Sequence, residues 1–242
     1  MEYPTKGSKK HMHIMEGFLP HPWWEIWFIV AIPVIIYGIY KLTKITKQMP
    51  ETKPLLALMG AFIFVISALK LPSVAGSSSH PTGSGFAAVL FGPAIASVLS
   101  LIVLVFQALL LAHGGLTTLG ANVFSMGIAG PAIAFAVWMI FRRTRFPASV
   151  GVFIAVALSD LATYIVTAVQ LALAVPIGGG FFDSFVTFAG IYAITQIPLA
   201  IAEGILAVLI FSFLTKYKSN ILSALKVIKI PISNVENEVK TQ

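Results

Sequence analysis

Six apolar stretches, at about 23–40, 54–71, 85–112, 120–141, 148–175 and 185–214, occupy most of this chain. Each approaches or exceeds the roughly 20 apolar residues that carry an α-helix across the ~30 Å hydrocarbon core of a bilayer. In lipid every backbone N–H and C=O must be satisfied internally, so such stretches fold as helices packed into a bundle. Charged residues make up 10% of the 242, whereas a soluble domain carries about 25%. A water-facing surface cannot be covered with so little charge, and the fold class expected is an all-α membrane protein. One integral domain is expected over residues 12–215. Residues 1–11 read as a leader, a tag or a non-native extension, because they are polar and basic with no apolar core, unlike a secretory signal. Residues 216–242 read as a basic, polar cytoplasmic tail.

The positive charges fall in three clusters: Lys41, Lys44, Lys47 and Lys53; Arg142, Arg143 and Arg145; and Lys216, Lys218, Lys226 and Lys229. Short Lys/Arg-rich loops stay on the cytoplasmic side. Nucleic-acid binding would need a basic face with aromatics on a soluble fold, and the sequence offers none. With the first and last clusters inside, the N-terminus lies outside and the C-terminus inside, which requires an odd number of crossings. Six stretches do not satisfy that parity. The arginine cluster locates the discrepancy in 85–112, which must leave one surface and return to it. Gly92-Pro93 interrupts that stretch, and proline cannot continue a helix without losing a hydrogen bond. A short, broken helix followed by a longer one is predicted, for about seven transmembrane helices in all. Ala87, Ala88, Gly92 and Ala96 are expected to form a small-residue surface on which a partner's helices pack closely.

The remaining loops, near 71–84, 113–119 and 175–184, then share the outer face with the N-terminal segment. Each of the first two carries a histidine, His80 in Gly76-Ser-Ser-Ser-His-Pro-Thr-Gly83 and His113 at the end of the broken stretch. His13 stands in Met12-His-Ile-Met-Glu-Gly-Phe-Leu-Pro20. Two imidazoles on one membrane face can hold a borderline transition-metal ion. The chain has no cysteine, so nitrogen and oxygen must supply the ligands. If Met12 begins the mature chain, its amine, the next amide nitrogen and the His13 ring can chelate one ion, and His80 closes a near-planar set of four nitrogens. Such a set favours Ni²⁺ or Cu²⁺, with Co²⁺ possible. The candidate metal residues are therefore Met12, His13 and His80. If residues 1–11 remain attached, side chains such as His11 and His13 must serve instead.

Glu16 is a candidate acceptor for a ligating imidazole N–H, or a solvated loop carboxylate. Gln107 sits with His113 at the outer end of the broken stretch. Asn122, Asp160 and Glu203 lie inside apolar stretches, where an ionisable group is a functional hypothesis by default and an interhelical hydrogen bond is the alternative. Trp23, Trp24 and Trp27 read as an interfacial belt. No phosphate-binding Gly-x-x-x-x-Gly-Lys-Ser/Thr loop is present, nor a His-Glu-x-x-His or Gly-x-Ser-x-Gly motif. Energy for uphill transport must come from a partner or an ion gradient. Two rival readings are an intramembrane hydrolase using Ser78 or Ser79 with His80, and a stand-alone channel.

The sequence resembles the CbiM/NikM family, the metal-binding S components of energy-coupling-factor cobalt and nickel transporters. The resemblance rests on Met12–Pro20, Ser79-His-Pro-Thr-Gly83 with Phe91-Gly-Pro93, and His113-Gly-Gly-Leu-Thr-Thr-Leu-Gly-Ala-Asn122. Phe124-Ser-Met-Gly-Ile-Ala-Gly-Pro131 and Gln196-Ile-Pro-Leu-Ala-Ile-Ala-Glu-Gly204 extend it over about residues 12–215. It implies a seven-helix protein of a prokaryotic plasma membrane that is not itself an enzyme. It implies a metal held by the amine and amide of Met12-His13, the His13 ring and His80. Its implied partners are a small membrane subunit, a transmembrane coupling (T) protein and paired cytoplasmic ATPases. The Met-Glu-Gly opening is closer to the cobalt branch, in which Co²⁺ uptake feeds cobalamin synthesis; Ni²⁺ is the alternative cargo. Family chains begin at the residue matching Met12, whereas eleven residues precede it here.

Overall fold

The structure, a computed structural model, describes Ile14 and residues 16–69, 71–72 and 78–228. Helix α1 covers Trp23–Gln48, and a 3₁₀ turn at Pro50–Thr52 leads into α2, Lys53–Ala68. A two-residue antiparallel pairing joins Leu71–Pro72 to Ser78–Ser79. Then come α3 at Ser84–Phe91 and α4 at Pro93–Leu111. Helix α5, Leu119–Asn122, runs through a π-helical segment at Val123–Ala129 into α6, Gly130–Phe141. Helices α7 at Ala148–Ala174, α8 at Phe181–Tyr217 and α9 at Ser219–Ala224 follow. Among the described residues, six helical spans are long and apolar enough to cross a membrane.

The break expected at Gly92-Pro93 is present. Gly92 has φ 85° and ψ 160°, a conformation that L side chains rarely adopt. Pro93 then starts α4 at a position where its missing N–H is not needed. The two helices fold back on one another, and α3 packs between α4, α6 and α7. Its eight residues rise only about 12 Å, far short of a full crossing. Irregular backbone at membrane depth is tolerated where it is buried in protein, and Ser79, His80 and Thr82 are all buried. Ala87, Ala88 and Ala96 are wholly buried as well. The three alanines of the expected partner-facing surface are therefore internal, their small side chains letting α3 and α4 fit among their own neighbours, while Gly92 stays half-buried.

The main core runs through Met59, Ile63, Phe86, Leu104, Met126 and Val156. Leu222 and Val227 join it, so the packed body continues beyond residue 215. Ile45, Gly92, Arg142 and Lys226 line one cavity, which gathers the basic turns at one end of the bundle. A second cluster at the other end comprises Ile14, Leu19, Ala121, Tyr164, Leu171, Phe188 and Tyr192. The three tryptophans are half-buried against this cluster, and Trp27 packs on Phe124 with ring centres 4.9 Å apart. They serve as packing as much as an interfacial belt. Helix α1 is otherwise peripheral, exposing Ile29, Ile36 and Tyr40. Its approach to α4 is close at Gly38, where a Cβ would lie 2.2 Å from the Ala94 carbonyl oxygen.

Candidate metal centre

His80 sits in a loop held from two helices. The Tyr164 hydroxyl, on α7, accepts from the His80 N–H and donates to its carbonyl, both at 3.1 Å. From α8, the Gln196 side-chain amide donates to the same carbonyl at 3.4 Å, and Thr195 bonds the Ser79 hydroxyl at 2.5 Å. Glu203, also on α8, accepts the N–H groups of Thr82 at 2.6 Å and Gly83 at 2.8 Å, and the Thr82 hydroxyl at 3.3 Å. Gly83 has φ 72°, and a Cβ there would come within 3.0 Å of Ile63 and 2.9 Å of Ile66. A glycine is thus required both for the turn and for its fit against α2.

The imidazole of His80 is 2% exposed. Its Nδ1 lies 2.9 Å from the Pro81 carbonyl oxygen. A carbonyl only accepts, so Nδ1 carries the proton and Nε2 carries the lone pair, the tautomer a metal ligand needs. The same contact orients the ring.

Opposite this loop lies the N-terminal arm. Asn122 accepts the Ile14 N–H at 3.2 Å and donates to the Ile14 carbonyl at 3.3 Å, and the Thr118 hydroxyl donates to that carbonyl at 2.6 Å. Gly17 N–H donates to the Thr117 hydroxyl at 3.0 Å, and Glu16 accepts the Thr117 N–H at 3.2 Å. Gly115 makes the approach possible, because a Cβ there would lie 2.5 Å from Glu16 Cα. Gln170 on α7 donates to the Ala121 carbonyl at 3.1 Å, tying α5 to the bundle.

His80 of the loop and Asn122, which holds the arm, line a cavity of about 20 Å³ together with Ser125, Met126, Thr163, Tyr164, Thr167 and Tyr192. Its lining is polar apart from Met126, and it abuts the π-helical segment, a distortion frequent at functional sites. His113 enters from the end of α4. It is 1% exposed, and its ring centre lies 5.2 Å from that of His80 with the planes at 82°.

A family profile for CbiM, described as the cobalt uptake substrate-specific transmembrane region, matches residues 13–221. The chain belongs to the CbiM family. This family member is 58% identical over 219 residues to the cobalt transport protein CbiM of Nostoc sp., covering 90% of this chain and 84% of that one. It is also 58% identical over 207 residues to the cobalt transport protein CbiM of Carboxydothermus hydrogenoformans, covering 86% and 84%. A crystal structure of a transition metal transporter matches with a TM-score of 0.75 over 85% of this chain and 93% of that one. At 24% identity that likeness concerns the fold alone. With six spans and a transmembrane family region, this CbiM family member is a multi-pass protein of the plasma membrane and a transport component.

Of the expected metal residues, His80 lies in the centre, while Met12 and His13 lie outside the described residues. Among the described residues no group of three or more His, Cys, Asp or Glu is gathered to hold an ion. Glu16 binds the Thr117 N–H rather than an imidazole among those residues. Gln107 donates to the Ser67 hydroxyl at 2.7 Å and fastens α4 to α2. Asp160 is buried beside Glu203. The Ser79 hydroxyl turns to Thr195 and the His80 Nδ1 to the Pro81 carbonyl. Tyr164, Gln196 and Thr118 are additions that the sequence reading of this CbiM family member did not single out. The signal was there in the spacing. Asp160, Thr163, Tyr164 and Thr167 form one polar stripe of α7 at helical intervals, and Tyr192, Gln196 and Glu203 form another on α8.

Proposed function

We propose that this chain is the substrate-capturing S component of an energy-coupling-factor importer for Co²⁺. The single observation that carries the reading is that His80 and Asn122, the residue that holds the Ile14 arm, line one polar cavity. His80 presents a metal-ligating tautomer there. Asn122, which lines the same cavity, grips the backbone of Ile14, the residue directly after His13. Met12 and His13 then complete the nitrogen set. The cargo follows from the cobalt transport proteins to which the chain is more than half identical.

The basic end of the bundle faces the cytoplasm under the positive-inside rule, which turns the His80 end outward. No nucleotide-binding motif exists in the chain, so ATP hydrolysis belongs to paired cytoplasmic ATPases linked through a transmembrane coupling protein and a small membrane subunit. The imported ion supplies cobalamin synthesis. Ni²⁺ is the second reading, favoured by a four-nitrogen planar set.

The test is calorimetric titration of Co²⁺ and Ni²⁺ into the purified chain beginning at Met12, beside His13→Ala and His80→Ala. Loss of binding in both variants is expected, and undiminished binding in both removes the site. Uptake into vesicles should require the coupling protein, the ATPases and ATP together. Flux through the chain alone would make it a channel.

A further inference from the structure

We propose that His113 supplies a further nitrogen to the ion held by His80, and that this donor shifts the site's preference from Ni²⁺ towards Co²⁺; the inference rests on the metal-capture reading given above. The two rings are buried together with centres 5.2 Å apart. A metal–nitrogen bond of roughly 2.1 Å places an ion about 3.2 Å from an imidazole centre. Two imidazoles on one ion are then about 4.5 Å apart at a right angle and about 5.2 Å apart at the tetrahedral angle. The observed spacing is the second of these.

The backbone is built to hold His113 where it is. Ala112 closes α4 in the left-handed conformation at φ 47°, and Gly114 follows at φ 77°. A non-glycine residue in that region is held against its own preference, and such positions cluster at ligand clamps. The His113 N–H is bonded to the Gln107 carbonyl at 3.1 Å, while the Gln107 side chain is fastened to Ser67. The ring is thus carried by α4 and α2, and His80 by α7 and α8.

The chemistry explains why such a donor is needed. At a plain nitrogen site Ni²⁺ binds more tightly than Co²⁺, so selectivity for cobalt must come from geometry. A planar four-nitrogen set reinforces the wrong choice. With the four planar positions taken by the amine, the amide, the His13 ring and His80, a further nitrogen would approach only from outside the plane and would penalise the ion that prefers it.

The experiment uses the full chain in detergent, and a version beginning at Met12, with Co²⁺ and Ni²⁺ themselves as probes. Visible absorption of bound Co²⁺ is recorded for the wild type, His113→Gln, His113→Phe and His80→Ala, together with competition between the two metals. Expected for both His113 variants are a shifted, weaker cobalt band, a loss of Co²⁺ affinity of ~10-fold or more, and a much smaller change for Ni²⁺. An unchanged spectrum and an unchanged Co²⁺/Ni²⁺ ratio would make the ring contact packing alone and overturn the inference. Should the variants not fold, X-ray absorption of Co²⁺ in the wild type decides: one imidazole more than His13 and His80 provide supports it, and those two alone sink it. Retained binding in His80→Ala would instead defeat the capture reading itself. Its loss, with both His113 variants like the wild type, defeats only this inference.

Discussion

The side chain of Asn122 grips Ile14 on both sides of its Cα, taking the N–H at 3.2 Å and donating to the carbonyl at 3.3 Å. A carboxamide that pairs in this way fixes the direction of an arm, not only its position. The grip lies directly before the π-helical segment, so the arm is fastened at Ile14 where one membrane span is locally distorted.

Asn122→Ala should therefore weaken Co²⁺ binding without unfolding the bundle. Substitution of a residue that orients a metal ligand typically costs ~10–100-fold in affinity. Calorimetry with a melting curve as control checks it, and wild-type affinity in a folded variant would show that the Thr117 and Thr118 contacts hold the arm without Asn122.

Tyr164→Phe removes the one hydroxyl that bridges the His80 N–H and carbonyl. The buried N–H then lacks that partner, at a cost of about 1–3 kcal/mol. We expect a lower melting temperature and weaker Co²⁺ binding together, with the loss of affinity seen mainly as faster release in stopped-flow measurements.

Glu203→Ala should damage stability more than any other single change in the His80 loop. It strips the acceptor from two buried backbone N–H groups and the Thr82 hydroxyl, each worth about 1–3 kcal/mol when left unsatisfied. Glu203→Gln retains one carbonyl oxygen and should fall between Ala and the wild type. Equal melting temperatures for all three proteins would contradict this.

Gly115→Ala places a methyl 2.5 Å from Glu16 Cα and 2.2 Å from its carboxylate. The arm must shift, so Co²⁺ affinity should fall by ~10-fold or more, while the melting temperature of the metal-free protein changes little. Protease sensitivity near residue 16 gives an independent measure of the detached arm.

Much of this architecture is legible in the chain because lipid leaves few options. The six spans and the Gly92-Pro93 break follow from apolar length and from what proline cannot do. His80 stands out as a lone titratable group in a loop of small residues. Tyr164 does not, since a tyrosine inside an apolar helix reads as core until the loop it holds is placed beside it. Glu203 announces itself as costly but not as a partner: its donors are backbone groups some 120 positions away, and backbone carries no sequence signature. The inward orientation of Ala87 and Ala88 was equally hidden, because small residues suit an external helix contact and an internal one alike.

The polar cavity under His80 measures about 20 Å³, room for a single water by the usual measure of such spaces. On the capture reading, a divalent cation with its full shell of waters would not fit there. It would exchange oxygen for nitrogen as it entered, so the rate at which each metal sheds water would become part of the choice between them.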